Sequence, residues 1–530
     1  MRNIMTGNQA AALGAFQSGV AFVTGYPGTP CTEVVSELAK FEGVHWEWAV
    51  NEKVALEAAI GASLAGVRTL VVMKTLGLNV AADAFTQLAG TPMNGGLVLV
   101  VADDVGRIVG DDYQDCRHYS IMSQVPLLEP SDSQEAKEFM EMAFLISETY
   151  EVPVILRLNS ITSKSKSVVK LEQDVGQRAT RRLAHQKSLQ KTVGNVVRFG
   201  FPNYDSPMLK EYWHDFKKNW TALQDACNEI SINQVEMGDR EIGIIASGVS
   251  YHYAKEAVPH ASFLKLGLVF PLPQRLIRDF VGSHRTVYVI EDGHPIIERE
   301  IRGMGLTVQG ENVFPRFPHM LYFTPEIIEE KILGIQREKK SSEVPFRLPV
   351  NCPGCPHTVV NRILKKNNIK AVGGIGCGGL GAFPHVGAMD VVKCMGSSFG
   401  IAHGYNRFRK DGKKMVAVMG DGEFWHTGMN GLINAVYHKG EGVFIIEDNF
   451  TVAMTGGQRN ISSPLKQDSI QNRISIEAIC KTIGILDVYV VDSYDEDRLE
   501  GILLREMDKE GISVIIARHP CLIFASPTNT

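Results

Sequence analysis

Asp421 and the pair Asp448-Asn449 lie about one strand, helix and strand apart in the stretch GDGEFWHTGMNGLINAVYHKGEGVFIIEDNFTVAMTGGQ, which runs from Gly420 to Gln458. A hard divalent cation that also carries a diphosphate wants a carboxylate, a side-chain amide and a backbone carbonyl, with phosphate oxygens and water completing an octahedron. Asp421, Asn449 and the carbonyl of Thr451 supply that donor set.

The elements that must position these groups can be read from the same stretch. The apolar run Lys414 to Met419 predicts a buried parallel strand that delivers Gly420-Asp421-Gly422 to its carboxyl end, where open α/β sheets bind ligands. Gly431 to Tyr437 predicts a helix and Gly442 to Ile446 the next strand, so Asp448 and Asn449 stand at a neighbouring strand end. A lone GDG is compatible with an ordinary strand, turn and helix; the Asp-Asn pair at this separation argues for the metal and diphosphate reading.

Other residues carry chemistry less specifically. Tyr26-Pro27-Gly28-Thr29-Pro30 forms a rigid turn after the first predicted strand, where Thr29 could hydrogen-bond a ligand or merely open a helix. The next helix carries Glu52 and Glu57 among Ala and Gly. A carboxyl buried against a ligand there would hold or share a proton with a ring nitrogen, whereas spacing alone leaves a solvated helix face open for either residue. Cys352 and Cys355 are spaced C-x2-C, Cys377 follows on a Gly-rich loop, and Cys521 comes after the last strand. By count, four thiolates suit zinc or a [4Fe–4S] cluster equally, and free thiols are the third possibility.

The 530 residues allow three or four domains. A formal net charge of −5 with 21% charged residues gives no basic footprint for nucleic acid, and the apolar runs fall short of a membrane span. The N-terminus MRNIMTGNQAAALGAF has neither a signal-peptide core nor an Arg-rich transit helix, so the cytoplasm is the expected location. Nine unevenly spaced cysteines do not form a secreted disulfide framework.

From Thr6, predicted strands at Ala21 to Thr24, Leu70 to Met73, Leu97 to Ala102 and Val152 to Leu156 alternate with Ala-rich helices, a doubly wound α/β pattern over 1–165. A polar connection with local helices, including Met208 to Cys227, fills 166–237. Three short strands with helices between them make a smaller α/β domain over 238–335, and the last domain spans 345–530. The fold class is therefore α/β, with three doubly wound parallel-sheet domains.

GYPGTP at 25–30, VNEKVALEAAIGASLAG at 50–66, MKTLGLNVAADAF at 73–85, VVADD at 100–104, LEPSD at 128–132, ASGVSY at 246–251, NCPGCPH at 351–357, CMGSSFGIAHG at 394–404 and the stretch from Gly420 resemble, in order, the thiamine diphosphate-dependent 2-oxoacid:ferredoxin oxidoreductases, with the greatest likeness to the indolepyruvate-type alpha subunit. The resemblance implies a pyrimidine-binding domain first, a transketolase C-terminal-like domain in the middle and a diphosphate-binding domain last. It implies that a Glu followed nine residues later by Gly faces N1′ of the aminopyrimidine, which selects Glu57, with Gly66, over Glu52. It further implies Thr29 and His426 as catalytic, and Gly376, Cys377, Met395, Gly396, Ser397, Gly420, Asp421, Gly422, Asn449, Thr451, Met454 and Thr455 around the cofactor. In two-subunit relatives, cysteines placed like Cys352, Cys355, Cys377 and Cys521 ligate a [4Fe–4S] cluster. Iron suits the chemistry, since oxidation after decarboxylation needs a nearby one-electron acceptor and zinc has no redox function.

The sequence departs from these relatives twice. Their alpha subunit continues into a ferredoxin-like module with C-x2-C-x2-C-x3-C-P runs, whereas this sequence stops nine residues after Cys521, so that relay is expected to be absent. The loop VGRIVGDDYQDCRHY after Asp104 differs from the Ser- and Asn-containing segment of arylpyruvate relatives at Arg107, Asp111 and Cys116, which bears on the substrate. The implied function is oxidative decarboxylation of a 2-oxoacid, an arylpyruvate such as indolepyruvate, to an acyl-CoA. Thiamine diphosphate, Mg2+ and coenzyme A take part, electrons pass to ferredoxin or another acceptor, and a beta/gamma-type subunit completes a dimer of heterodimers. The alternative is a non-oxidative thiamine-dependent decarboxylase or carboligase, distinguished by lacking a cluster.

Overall fold

The computed structural model describes residues 2–88, 93–105, 114–171, 207–314, 323–336, 347–463 and 474–524, with the backbone alone at 207–213. It divides into two compact units, Met1–Lys340 and Ser341–Thr530.

The first unit is built on a seven-stranded sheet, ordered Leu268–Phe270, Leu127–Leu128, Val154–Asn159, Leu97–Asp103, Thr69–Lys74, Phe22–Gly25, His45–Trp48. All neighbours are parallel except the first pair. Side chains alternate across each strand, so Leu70 and Val72 pack with the helices Gly7–Gln17 and Ser133–Tyr150, while Val71 and Met73 pack with Ala55, Leu56 and Ala59 of the helix Glu52–Leu64. Burial on both faces is why these strands read as continuous apolar runs.

A second sheet in this unit runs Thr286–Ile290, Asp239–Ser247, Ala261–Leu266, Gln234–Glu236, parallel except for the last pair. The apolar run from Ala261 to Phe270 does not stay in one sheet. The N–H groups of Gly267 and Leu268 turn aside to donate to Asn233 Oδ1, each at 3.0 Å, and the chain crosses to the edge of the larger sheet. Two further elements depart from the sequence reading. Arg2–Thr6 pairs antiparallel with Lys166–Lys170 as a two-stranded ribbon. Trp220, Leu223 and Cys227, read as part of a connection, are buried in the first core.

Buried charges join the two sheets of this unit. Arg157 binds Asp103 and Glu129, each at 2.6 Å, and Arg117 binds Asp115 at 2.6 Å and Glu291 at 2.5 Å. Glu129 also accepts from Ser247 Oγ at 3.0 Å. Cys116 of the altered loop belongs to this buried set: its N–H donates to Asp103, and burial holds its thiol well above the usual range. Arg107 and Asp111 lie outside the described residues.

The second unit holds a six-stranded parallel sheet in the order Val391–Val392, Ala371–Gly373, Val416–Gly420, Gly442–Asp448, Ile512–Arg518, Asp487–Asp492. Ala417 and Met419 face a core shared with the helices Ser398–Phe408, Met429–Tyr437 and Ile476–Thr482. Val416 and Val418 face one shared with His357–Lys366 and Glu496–Met507. Among the described residues, no helix is long and apolar enough to cross a membrane.

Candidate functional site

The strands Val416–Gly420 and Gly442–Asp448 are parallel neighbours with Gly420 opposite Glu447, so Asp421 and Asp448 leave the sheet side by side. Asp421 is buried; its Oδ1 accepts from the Gly422 N–H at 2.8 Å and its Oδ2 from the Asn460 amide at 2.9 Å. Burial and the adjacent Asp448 push the Asp421 carboxyl up to about 8. Asp448 is paired with Arg518 at 2.7 Å. Two carboxyls are thus buried together with one neutralising cation, and a metal ion at Asp421 would restore its ionised form.

The turn that follows shapes the rest of the donor set. Phe450 adopts φ +65°, in the left-handed region, and Asn449 Oδ1 accepts from the Thr451 N–H at 3.2 Å. Thr451 Oγ1 donates to the Gln458 carbonyl at 3.0 Å, and Val452 and Gln458 form an antiparallel bridge. Within this hairpin Thr455 Oγ1 donates to Gln458 Oε1 at 2.6 Å, while Met454 is exposed.

Glu423 is the residue that the sequence reading missed. One of its carboxyl oxygens accepts from the N–H groups of Ile375, at 2.6 Å, and Gly396, at 3.2 Å; the other accepts from Gly420 at 3.2 Å. A single buried side chain therefore gathers the loops carrying Gly376-Cys377, Met395-Gly396-Ser397 and Gly420-Asp421-Gly422. Burial pushes it up to about 7 against those three donors. The available signal was a second acidic residue, two positions after Asp421 and just ahead of Phe424-Trp425. Gly396 is required here: its φ is +76°, and a Cβ would stand 2.2 Å from Thr427 Oγ1. Thr427 Oγ1 donates to the Met395 carbonyl at 3.1 Å, and His426 is buried with its Nδ1 3.2 Å from the same hydroxyl. The buried hydroxyls of Ser397 and Ser398 have no hydrogen-bond partner among the described residues, as suits groups that meet phosphate oxygens.

The four cysteines come from loops that touch one another. Asn351 Nδ2 donates to the Cys377 carbonyl at 2.8 Å, and the Cys521 N–H donates to the Asn449 carbonyl at 3.2 Å. A Cβ on Gly354, between Cys352 and Cys355, would lie 3.3 Å from Leu522. Burial pushes the Cys377 thiol up to about 12, and the charges of Cys355, Cys521 and Cys352 act in the same direction. All four are free thiols. Among the described residues no three His, Cys, Asp or Glu side chains converge as a metal site, so the fit to a cluster rests on the identity and neighbourhood of the donors. His357 next to them is buried, which pushes its pKa down to about 4.

In the first unit, Thr29, Glu52 and Thr75 follow the carboxyl ends of three adjacent strands, Phe22–Gly25, His45–Trp48 and Thr69–Lys74. Thr29 is half-buried, in a turn where Gly28 donates to Thr32 Oγ1 at 3.0 Å. Glu57 is 47% exposed and ion-paired with Lys53 one turn back, on the outer face of its helix. Glu52 is 6% exposed at the head of the helix, behind the cap that Asn51 provides for the Val54 N–H at 2.9 Å. Of the two, Glu52 is the carboxyl that burial shields from water. The Glu-to-Gly spacing does not separate them, because Gly61 stands nine residues after Glu52 as Gly66 does after Glu57.

Comparisons with known proteins find family matches in both units. The family described as pyruvate flavodoxin/ferredoxin oxidoreductase, thiamine diphosphate-binding, matches residues 13–208. The C-terminal TPP-binding domain of thiamine pyrophosphate enzymes matches residues 379–517. The indolepyruvate oxidoreductase subunit IorA of Methanothermobacter thermautotrophicus is 33% identical over 566 residues, covering 98% of this chain and 87% of its own. The ketoisovalerate oxidoreductase subunit VorB of Methanothermobacter marburgensis is 26% identical over 307 residues, covering 54% of this chain and 85% of its own. Among solved structures, a 2-oxoglutarate:ferredoxin oxidoreductase from Magnetococcus marinus has a TM-score of 0.51 at 19% identity, covering 63% of this chain and 65% of that one, a likeness of fold.

Proposed function

The chain belongs to the family of the indolepyruvate oxidoreductase IorA subunits, and from that premise we propose that it oxidatively decarboxylates an arylpyruvate-type 2-oxoacid to an acyl-CoA, together with a partner subunit. The observation that carries this reading is the pair of buried carboxyls, Asp421 and Asp448, at adjoining strand ends with Asn449 one residue on.

Thiamine diphosphate, when bound, supplies the electron sink that loss of carbon dioxide from a 2-oxoacid requires. The protein's part is position and electrostatics. Asp421, Asn449 and the Thr451 carbonyl hold Mg2+, and the hydroxyls of Ser397 and Ser398 meet phosphate oxygens. Gly420 and Gly422 keep the backbone beside Asp421 free of side chains. Glu423 keeps three loops in register around that position, so that the phosphate-facing groups need no rearrangement on binding. Glu52 holds the proton at N1′ of the aminopyrimidine; its burial excludes water from that carboxyl, whereas Glu57 keeps Lys53 company at the surface. Thr29, after the strand Phe22–Gly25, and His426, in the helical segment Phe424–Gly428, keep the catalytic roles that the family resemblance implies.

Cys352, Cys355, Cys377 and Cys521 hold a [4Fe–4S] cluster, the one-electron acceptor through which electrons leave for ferredoxin or a similar carrier. A beta/gamma-type subunit in a dimer of heterodimers, coenzyme A as co-substrate and a cytoplasmic setting belong to the same reading. The test is anaerobic purification with the partner subunit, followed by iron analysis and an assay of viologen reduction with indolepyruvate and coenzyme A. About four iron atoms per chain and dye reduction that needs both substrates are expected. Decarboxylation without iron and without dye reduction would replace this reading with a non-oxidative decarboxylase.

A further inference from the structure

His357 opens the helix His357–Lys366 directly after the Cys352–Pro356 turn. Its buried ring lies between two groups: Nδ1 is 3.2 Å from Cys355 Sγ, and Nε2 is 3.8 Å from Glu447 Oε2. Glu447 is on the central strand Gly442–Asp448, and neither of its buried carboxyl oxygens has a hydrogen-bond partner among the described residues. The same oxygen lies against Gly378, next to Cys377, where a Cβ would stand 2.1 Å from Glu447 Oε2. One carboxyl is therefore wedged between the ring that touches Cys355 and the loop that carries Cys377.

A buried acid in the middle of a sheet is costly, and an apolar residue would serve the core better. Packing does not require it. What the placement does supply is a choice of tautomer: burial favours the protonated form of Glu447, and a protonated acid 3.8 Å from Nε2 favours the ring form that carries its hydrogen on Nδ1, facing Cys355 Sγ. Metal-binding residues are commonly steered in this way by neighbours that do not touch the metal, and hydrogen bonds to ligand sulfurs set iron–sulfur potentials.

We propose that His357 and Glu447 are positioning residues for Cys355: Glu447 favours the tautomer with its hydrogen on Nδ1, and that Nδ1–H donates to Cys355 Sγ, raising the reduction potential of the metal centre that this sulfur ligates. The inference rests on the reading of the four cysteines as cluster ligands. The reduced centre carries one more negative charge on its sulfurs, so a donor to Sγ stabilises it more than the oxidised form.

The experiment is a redox titration, followed by electron paramagnetic resonance, of the protein assembled with its partner, for wild type, His357→Phe, His357→Asn and Glu447→Gln, with iron measured in each. His357→Phe is expected to shift the midpoint to more negative potential by about 59 mV, a tenfold change for one electron. Glu447→Gln should move it in the same direction by less, and His357→Asn, which restores a donor, should recover part of the shift. If His357→Phe does not fold, the nearly isosteric Glu447→Gln decides by the direction of its shift. Full iron in every variant with midpoints equal to wild type would overturn the inference and leave the cluster reading intact. Wild type without iron would overturn both, so the two failures are told apart by the iron content of the wild type.

Discussion

A Cβ on Gly77 would stand 2.5 Å from Oε1 of Glu52, so the helix Thr75–Val80 leaves no space for a side chain against the buried carboxyl at the head of Glu52–Leu64. Gly77→Ala should separate stability from activity. The atoms in the way, Cγ, Cδ and Oε1, belong to one side chain that can turn about its own bonds, and Ala in a helix gains about 0.5–1 kcal/mol over Gly to offset that shift. The melting temperature should therefore change little. A displaced carboxyl is a different matter for chemistry, where a misplacement of about 1 Å costs roughly a hundredfold. A variant that melts like wild type and turns over like wild type would show that Glu52 does not act on the cofactor.

The two glutamates can be compared directly. Glu52→Gln should retain thiamine diphosphate and lose about 10²–10⁴-fold in turnover, because an amide still hydrogen-bonds a ring nitrogen but cannot exchange its proton. Glu57→Gln removes only an exposed ion pair with Lys53 and should stay within a few-fold of wild type. Turnover with bound cofactor quantified in both variants is the measurement. The opposite ranking would return the role to Glu57.

These two residues also show where the sequence ceases to be informative. Asp421 and Asn449 could be found because the apolar runs before them mark parallel strands, and the ends of such strands are where ligands bind. The rotation of the helix Glu52–Leu64 could not be read, because a run of Ala and Gly has little amphipathic contrast to distinguish its buried face. Glu423 was illegible for a different reason: its partners Ile375, Gly396 and Gly420 come from three loops, and spacing along the chain does not encode their meeting. The Arg2–Thr6 ribbon and the sheet change at Gly267 are likewise set by distant partners, Lys166–Lys170 and Asn233.

Glu423→Ala takes the acceptor from three N–H groups, of which that of Gly396 is buried and those of Ile375 and Gly420 are part-buried, and an unsatisfied buried group costs about 1–3 kcal/mol. The expected loss is about 1–3 kcal/mol, seen as a lowered denaturant midpoint, and cofactor retention should fall with it because two of the three loops carry phosphate-facing groups. Glu423→Gln keeps one carbonyl acceptor and should be milder in both measurements. An alanine variant as stable as wild type, with its cofactor bound, would mean that the three loops hold their places without this carboxyl.

The last expectation concerns pH and metal together. Asp421 is pushed up to about 8 by burial and by Asp448, so between roughly pH 4, where an unfolded carboxyl ionises, and pH 8 the folded metal-free protein holds a proton that the unfolded chain has released. Stability from this group is therefore present at low pH and lost as pH rises through that window, with a slope approaching about 1.4 kcal/mol per pH unit. Glu423, raised to about 7, contributes with the same sign. Bound Mg2+ replaces the proton on Asp421, so its apparent affinity should rise by up to about tenfold per pH unit until pH 8 and then level off. Thermal unfolding from pH 5 to 8.5, with and without Mg2+ and thiamine diphosphate, reads both effects. Asp421→Asn should reduce the pH dependence of the metal-free protein to that of the other buried acids, Glu423 and Glu447 among them, and abolish the metal-induced stabilisation at every pH. A stabilisation by Mg2+ that is independent of pH in wild type, or that survives in Asp421→Asn, would remove Asp421 from the metal site.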